Sequence, residues 1–123
     1  MKDLVAQLSE GLATIKKSHQ KHSNLVFVFT GQGAQWPAMG VELLQNPVFE
    51  QSICNSQQYL ADLGCAWRIV DELRKTVDSN INNPEYSQTL CTVLQVALVD
   101  LLRYWKVMAR AVVGHSSGEI GRW

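Results

Sequence analysis

The sequence predicts an α/β fold with parallel strands, preceded by a separate helix. Three observations lead there. Two short β-rich apolar segments, at 25–30 and 107–113, flank a region of helical patterns, and strand, helices, strand in this order calls for a parallel pair with a right-handed crossover. Each segment runs directly into a glycine-containing turn. Between them, two Asn-Pro pairs mark helix starts. With 123 residues, 46% of them hydrophobic, the chain suits one ordinary domain and is too short for two.

Residues 3–17 place Leu4, Val5, Leu8, Leu12 and Ile15 at helical spacing, with Lys16 and Lys17 in the last turn, where the helix dipole favours cations. The polar stretch Ser18 to Asn24 is a connector, so residues 1–24 are expected to be a linker helix and connector, and 25–123 the domain. Leu25 to Thr30 is unbroken apolar and β-rich, which suits a strand covered on both faces. Gly31 to Gly40 follows as a glycine-rich turn whose N–H groups can approach a ligand. Asn46-Pro47 and Asn83-Pro84 each combine a cap with proline at the first helical position and predict helices over 47–63 and 84–105. In the second, Leu90, Leu94, Ala97, Leu98, Leu101, Leu102 and Trp105 form a wide stripe expected to lie on a sheet, with Asp100 and Arg103 facing water. A shorter helix is expected around Arg68 to Lys75. Val107 to Val113 reads as the second strand.

Composition removes several function classes. Eleven Lys and Arg balance eleven Asp and Glu, so no broad positive field exists for nucleic acid or an anionic membrane. The longest apolar run, Leu25 to Phe29, is far below the roughly 20 residues of a membrane span, and Asp3 and Glu10 do not suit a signal peptide. The expected compartment is the cytoplasm. Cys54, Cys65 and Cys91 lack C-x-x-C spacing and are expected to be buried free thiols. His19 and His22 sit in a Lys/Gln/Ser-rich stretch with nothing to complete a metal site, so no metal is expected.

The chemistry concentrates in Gly114-x-Ser116-x-Gly118 after the second strand, the pattern of a nucleophile elbow. There a sharp strand-to-helix turn lifts the serine hydroxyl off the sheet, and glycines two residues away relieve crowding against neighbouring backbone. This register selects Ser116, and the N–H of Ser117 is placed to face an oxyanion. A helix capping box, Ser116-x-x-Glu119, is the alternative at these residues. A dinucleotide site at Gly31-x-Gly33 fails because Trp36 occupies the third glycine position.

Phe27-Val-Phe-Thr-Gly-Gln-Gly-Ala-Gln-Trp36, Leu94-Gln-Val-Ala-Leu98 and Val113-Gly-His-Ser-Ser-Gly-Glu119 together resemble the acyltransferase domain of polyketide synthases, the malonyl-CoA:acyl-carrier-protein transacylase family, in its fungal reducing form. The resemblance implies a truncated α/β-hydrolase-like acyltransferase fold, of which this chain is the N-terminal part. It implies that Ser116 accepts an acyl unit, malonyl, from a coenzyme A thioester and passes it to the phosphopantetheine thiol of an acyl carrier protein. It further implies an oxyanion hole from the N–H groups of Gln32 and Ser117, and Gln95 lining the acyl site. His115 takes a structural or pocket role. No bound cofactor is implied, and the remaining synthase domains are implied partners. The histidine base and the carboxylate-pairing arginine of the family lie at later positions than this chain contains, so the chain alone is expected to be inactive. Two other readings stay open: part of a serine hydrolase or thioesterase with the same elbow, and a noncatalytic truncated gene product.

Overall fold

A computed structural model describes residues 24–116 and Gly118. The linker helix expected over 3–17, His19, His22 and Ser117 lie outside the described residues. In chain order the elements are β1 (Val26–Phe29), a 3₁₀ turn (Val41–Gln45), α1 (Pro47–Asp62), α2 (Ile69–Leu73), α3 (Pro84–Tyr104) and β2 (Ala111–Gly114). The strands pair in parallel, Val26 with Ala111 through Phe29 with Gly114. The fold is thus α/β with a parallel pair joined through helices.

Both Asn-Pro starts are real caps. Asn46 Oδ1 accepts from the N–H groups of Val48 and Phe49 at 3.0 and 3.4 Å, and Asn83 Oδ1 from that of Glu85 at 3.1 Å. Proline at the first helical position forfeits only an N–H that would have no partner inside the helix. The short α2 is pinned at its start by the Gln57 side-chain carbonyl, which accepts from the Ile69 N–H. Trp67 stacks on Tyr86 with centroids 4.4 Å apart, fixing the α1–α2 connection to the first turn of α3.

The core lies between the helices. Phe49 and Ile53 of α1, Ile69 and Leu73 of α2, and Leu90, Val93, Leu94, Ala97 and Leu101 of α3 are buried together. Here the structure corrects the expectation that the α3 stripe lies on the sheet. α3 packs chiefly on α1. Leu98 is 40% and Trp105 54% exposed. The sheet meets a different side of α3 across a cavity of about 340 Å³ lined by Phe27, Phe29, Val96, Val99, Arg103 and Val112. For the same reason β1 is not covered on both faces among the described residues, and Val28 is 47% exposed. Asp100 does not simply face water either. It is half-buried and accepts from the Ser52 hydroxyl at 2.6 Å, tying α1 to α3, while its contact with exposed Arg103 is a loose 3.7 Å.

The second strand begins later than Val107. Lys106 takes a left-handed φ of 64°, its N–H donates to Arg103 and that of Val107 to Leu102, closing α3 with a Schellman motif. Val107 is therefore spent on ending the helix. Pairing to β1 starts only with the Arg110 N–H, which donates to Leu25 at 2.8 Å. The three thiols are free, but Cys54 is exposed and Cys65 and Cys91 only partly covered, which corrects their expected burial. No helix among the described residues is long and apolar enough to cross a membrane.

Candidate active site

Parallel register brings the two glycine-containing turns together. Phe29 and Gly114 are partners at the last rung, so Thr30 onward and His115 onward leave neighbouring strands at the same, carboxyl end. This is where open α/β sheets bind ligands. The His115 N–H donates to the Phe29 carbonyl at 3.0 Å and extends the ladder by one bond, holding the second turn against the first.

Ser116 is exposed in that turn with φ 55°, a left-handed conformation uncommon for a residue with a side chain. A cap serine ordinarily has extended backbone, so this geometry does not fit the capping-box alternative. The chain then reverses tightly, with the Gly118 N–H donating to the His115 carbonyl at 2.9 Å. Gly118 lies on the backbone of β1. A Cβ there would overlap the Phe29 carbonyl oxygen and sit 2.9 Å from the Thr30 carbonyl carbon, and neither atom is free to move. Gly114 is the last residue of β2, and the His115 side chain is exposed.

The first turn is held from both sides. Gly33 has φ 115°, a region open to glycine, and its N–H donates to Gln35 Oε1 at 2.7 Å. Gln32 is exposed, and its side-chain Nε2 donates to Ser87 Oγ on α3 at 3.0 Å. Two turns further along α3, Gln95 Nε2 donates to the Thr30 carbonyl at 2.7 Å, while Gln95 Oε1 is buried with no donor. A cavity of about 340 Å³ opens beside it, lined among others by Thr30, Trp36, Met39, Gln95 and Leu98. Burial in this region pushes the Cys91 thiol up, keeping it protonated at neutral pH. No three His, Cys, Asp or Glu side chains converge on a common point among the described residues.

The structure therefore groups Ser116, His115, Gly114 and Gly118 on one turn, Gln32 on its neighbour, and Gln95 against the base of the latter. Sequence reasoning missed Ser87. A signal existed, since Ser87 falls on the same helical face as Leu90, Leu94 and Leu101, a polar side chain on an apolar stripe.

The model of the acyl transferase domain family matches residues 26–121, which include both strands, the helices between them and both turns. The chain belongs to the acyl transferase domain family. Among similar proteins, the highly reducing polyketide synthase alnA of Emericella nidulans is 52% identical over 121 residues, covering 98% of this chain and 5% of that synthase. The chain thus spans about one twentieth of the length of the curated relatives that it matches. Among solved structures, a loading acyltransferase from the avermectin modular polyketide synthase has a TM-score of 0.73 at 36% identity, over 79% of this chain and 31% of that one. The malonyl-CoA:ACP transacylase of Synechocystis sp. PCC 6803 has a TM-score of 0.68 at 28% identity, again over 79% of this chain and 31% of that one. The acyl transferase domain fold therefore includes the parallel pair and the helices described above.

Proposed function

We propose that Ser116 is the acyl-carrying nucleophile of a polyketide synthase acyl transferase domain, and that malonyl is the unit it carries. The Ser116 hydroxyl attacks the carbonyl of a coenzyme A thioester and a tetrahedral oxyanion forms. The N–H groups of Gln32 and Ser117 hold that oxyanion, each such donor being worth about a hundredfold to a thousandfold in rate. The C–S bond breaks, coenzyme A leaves as its thiol, and malonyl remains as an ester on Ser116. The phosphopantetheine thiol of an acyl carrier protein then takes the acyl group in the reverse sense. Coenzyme A thioester and phosphopantetheine are substrates here, and no resident cofactor is needed. Gln95 lines the acyl site, and His115 takes a pocket role. The remaining synthase domains are the partners of the whole assembly.

The exposed left-handed turn at Ser116, beside the first glycine turn at the carboxyl end of a parallel pair, is the observation that carries this reading. A serine hydroxyl also needs a base, and none of the described residues is hydrogen-bonded to that of Ser116. We accordingly assign to these 123 residues slow acylation without turnover. Intact-mass measurement after incubation with malonyl-CoA tests this. The expected result is a malonyl ester adduct on the parent chain and none on Ser116→Ala. An adduct that persists in the variant would overturn the assignment of the nucleophile, and steady malonyl transfer to a carrier protein would overturn the absence of turnover.

A further inference from the structure

We propose that Ser87 is a positioning residue for the first glycine turn, aiming the Gln32 N–H at the oxyanion by gripping the Gln32 side chain from α3. The inference rests on the proposed role of the Gln32 N–H. Ser87 is 1% exposed and lies in the first turns of α3, facing the core. Its Oγ leans towards the Pro84 carbonyl at 3.4 Å and accepts from Gln32 Nε2 at 3.0 Å. With one hydroxyl proton directed at Pro84, its oxygen is left as acceptor, which matches the amide NH₂ of Gln32. A hydroxyl buried on an apolar stripe adds little packing that alanine lacks. Its specific contribution is this bond, across 55 residues of sequence, to an otherwise exposed side chain.

The turn needs such a grip. Gln32 stands between Gly31 and Gly33, and Gly33 with φ 115° has nothing within 4 Å of where a Cβ would be. A peptide flanked by two glycines has little to stop it rotating, and an oxyanion donor is effective only when held about 2.7–3.1 Å from the position the oxygen takes. Gln95 holds the turn at Thr30, on one side of Gln32; Ser87 holds Gln32 itself. Releasing the second anchor leaves substrate binding intact and weakens only the contact made in the transition state.

The test is single-turnover acylation of the full chain by malonyl-CoA, with parent, Ser87→Ala, Gln32→Ala and the double variant. Gln32→Ala keeps the backbone N–H and removes only the anchored side chain. Each single variant is expected to lower the limiting acylation rate about fivefold, with the half-saturating malonyl-CoA concentration unchanged and the urea midpoint lowered only by the loss of one hydrogen bond. The double variant is expected to be no slower than either single one, because both remove the same bond. Ser87→Ala acylating at the parental rate would overturn the proposal, as would losses that multiply in the double variant. Should Ser87→Ala fail to fold, Gln32→Ala decides alone: a fivefold loss supports the proposal and a parental rate overturns it. A parent chain that forms no ester on Ser116 overturns the proposed function and this inference with it. An ester that forms normally while the cycle fails overturns this inference only.

Discussion

The left-handed backbone of Ser116 costs about 1–2 kcal/mol relative to an ordinary conformation, and something must hold it there. Its neighbours do so. The His115 N–H is committed to Phe29, the Gly118 N–H returns to His115, and Gly118 leaves no gap to the β1 backbone. The strain is thus enforced from β1 and not by the serine's own contacts. Gly118→Ala is expected to separate the two turns, because the added carbon meets fixed backbone atoms and not the flexible end of a side chain. The expected result is a loss of at least tenfold in Ser116 acylation, together with a lower urea midpoint, roughly the effect of an overpacked site costing 1–3 kcal/mol. An alanine variant with parental stability and acylation would show that this close approach does not constrain the turn.

At the scale of elements, the helices were the most legible part of the sequence. Asn46-Pro47 and Asn83-Pro84 set both long helix starts through local chemistry, a side-chain oxygen and a missing N–H, which depends on no distant partner. Which face of α3 meets which neighbour was not legible, because Leu98 and Trp105 have the same periodicity as Leu94 and Leu101 and only packing on α1 separates them. The start of β2 was missed for a similar reason: Val107 looks like a strand residue but is captured by the helix terminus. The turns holding Ser116 and Gln32 were legible through glycine spacing, whereas Ser87 has no motif and becomes visible only when Gln32 is seen to reach it.

One element contact makes a prediction about pH. Glu72 of α2 is 5% exposed, and its Oε1 accepts from Lys75 Nζ at 2.6 Å and Asn80 Nδ2 at 3.2 Å, clasping the segment between α2 and α3. Burial pushes this carboxyl up, but the bonds from Lys75 and Asn80 and the Lys75 charge together outweigh it and hold the group below its ordinary value of 4.5. A lowered folded value means that the clasp contributes fully above pH 4.5 and is lost as pH falls through the folded value. The urea midpoint of the parent is therefore expected to exceed that of Glu72→Gln at pH 7, with the gap narrowing as pH drops below 4.5. A gap that is the same at pH 7 and pH 3 would rule out the charged clasp.

Across the whole molecule, the helical core and the corner that holds Ser116 are built from contacts of different range. α1 and α3 bury their side chains against each other across a shorter stretch of sequence than the one that separates β1 from β2. The corner depends on Phe29 meeting Gly114, which joins almost the two ends of the described chain. Closing so long a loop costs entropy before any rung of the ladder repays it. The order of assembly follows: amide protons of α1 and α3 should become protected from exchange early in refolding, and those of β1 and β2 last, which pulse-labelling from denaturant can follow. Simultaneous protection of both groups would contradict this sequence of events. Because Ser116 enters its turn only with that final closure, the nucleophile proposed above would gain its reactivity last, as a mark of completed folding.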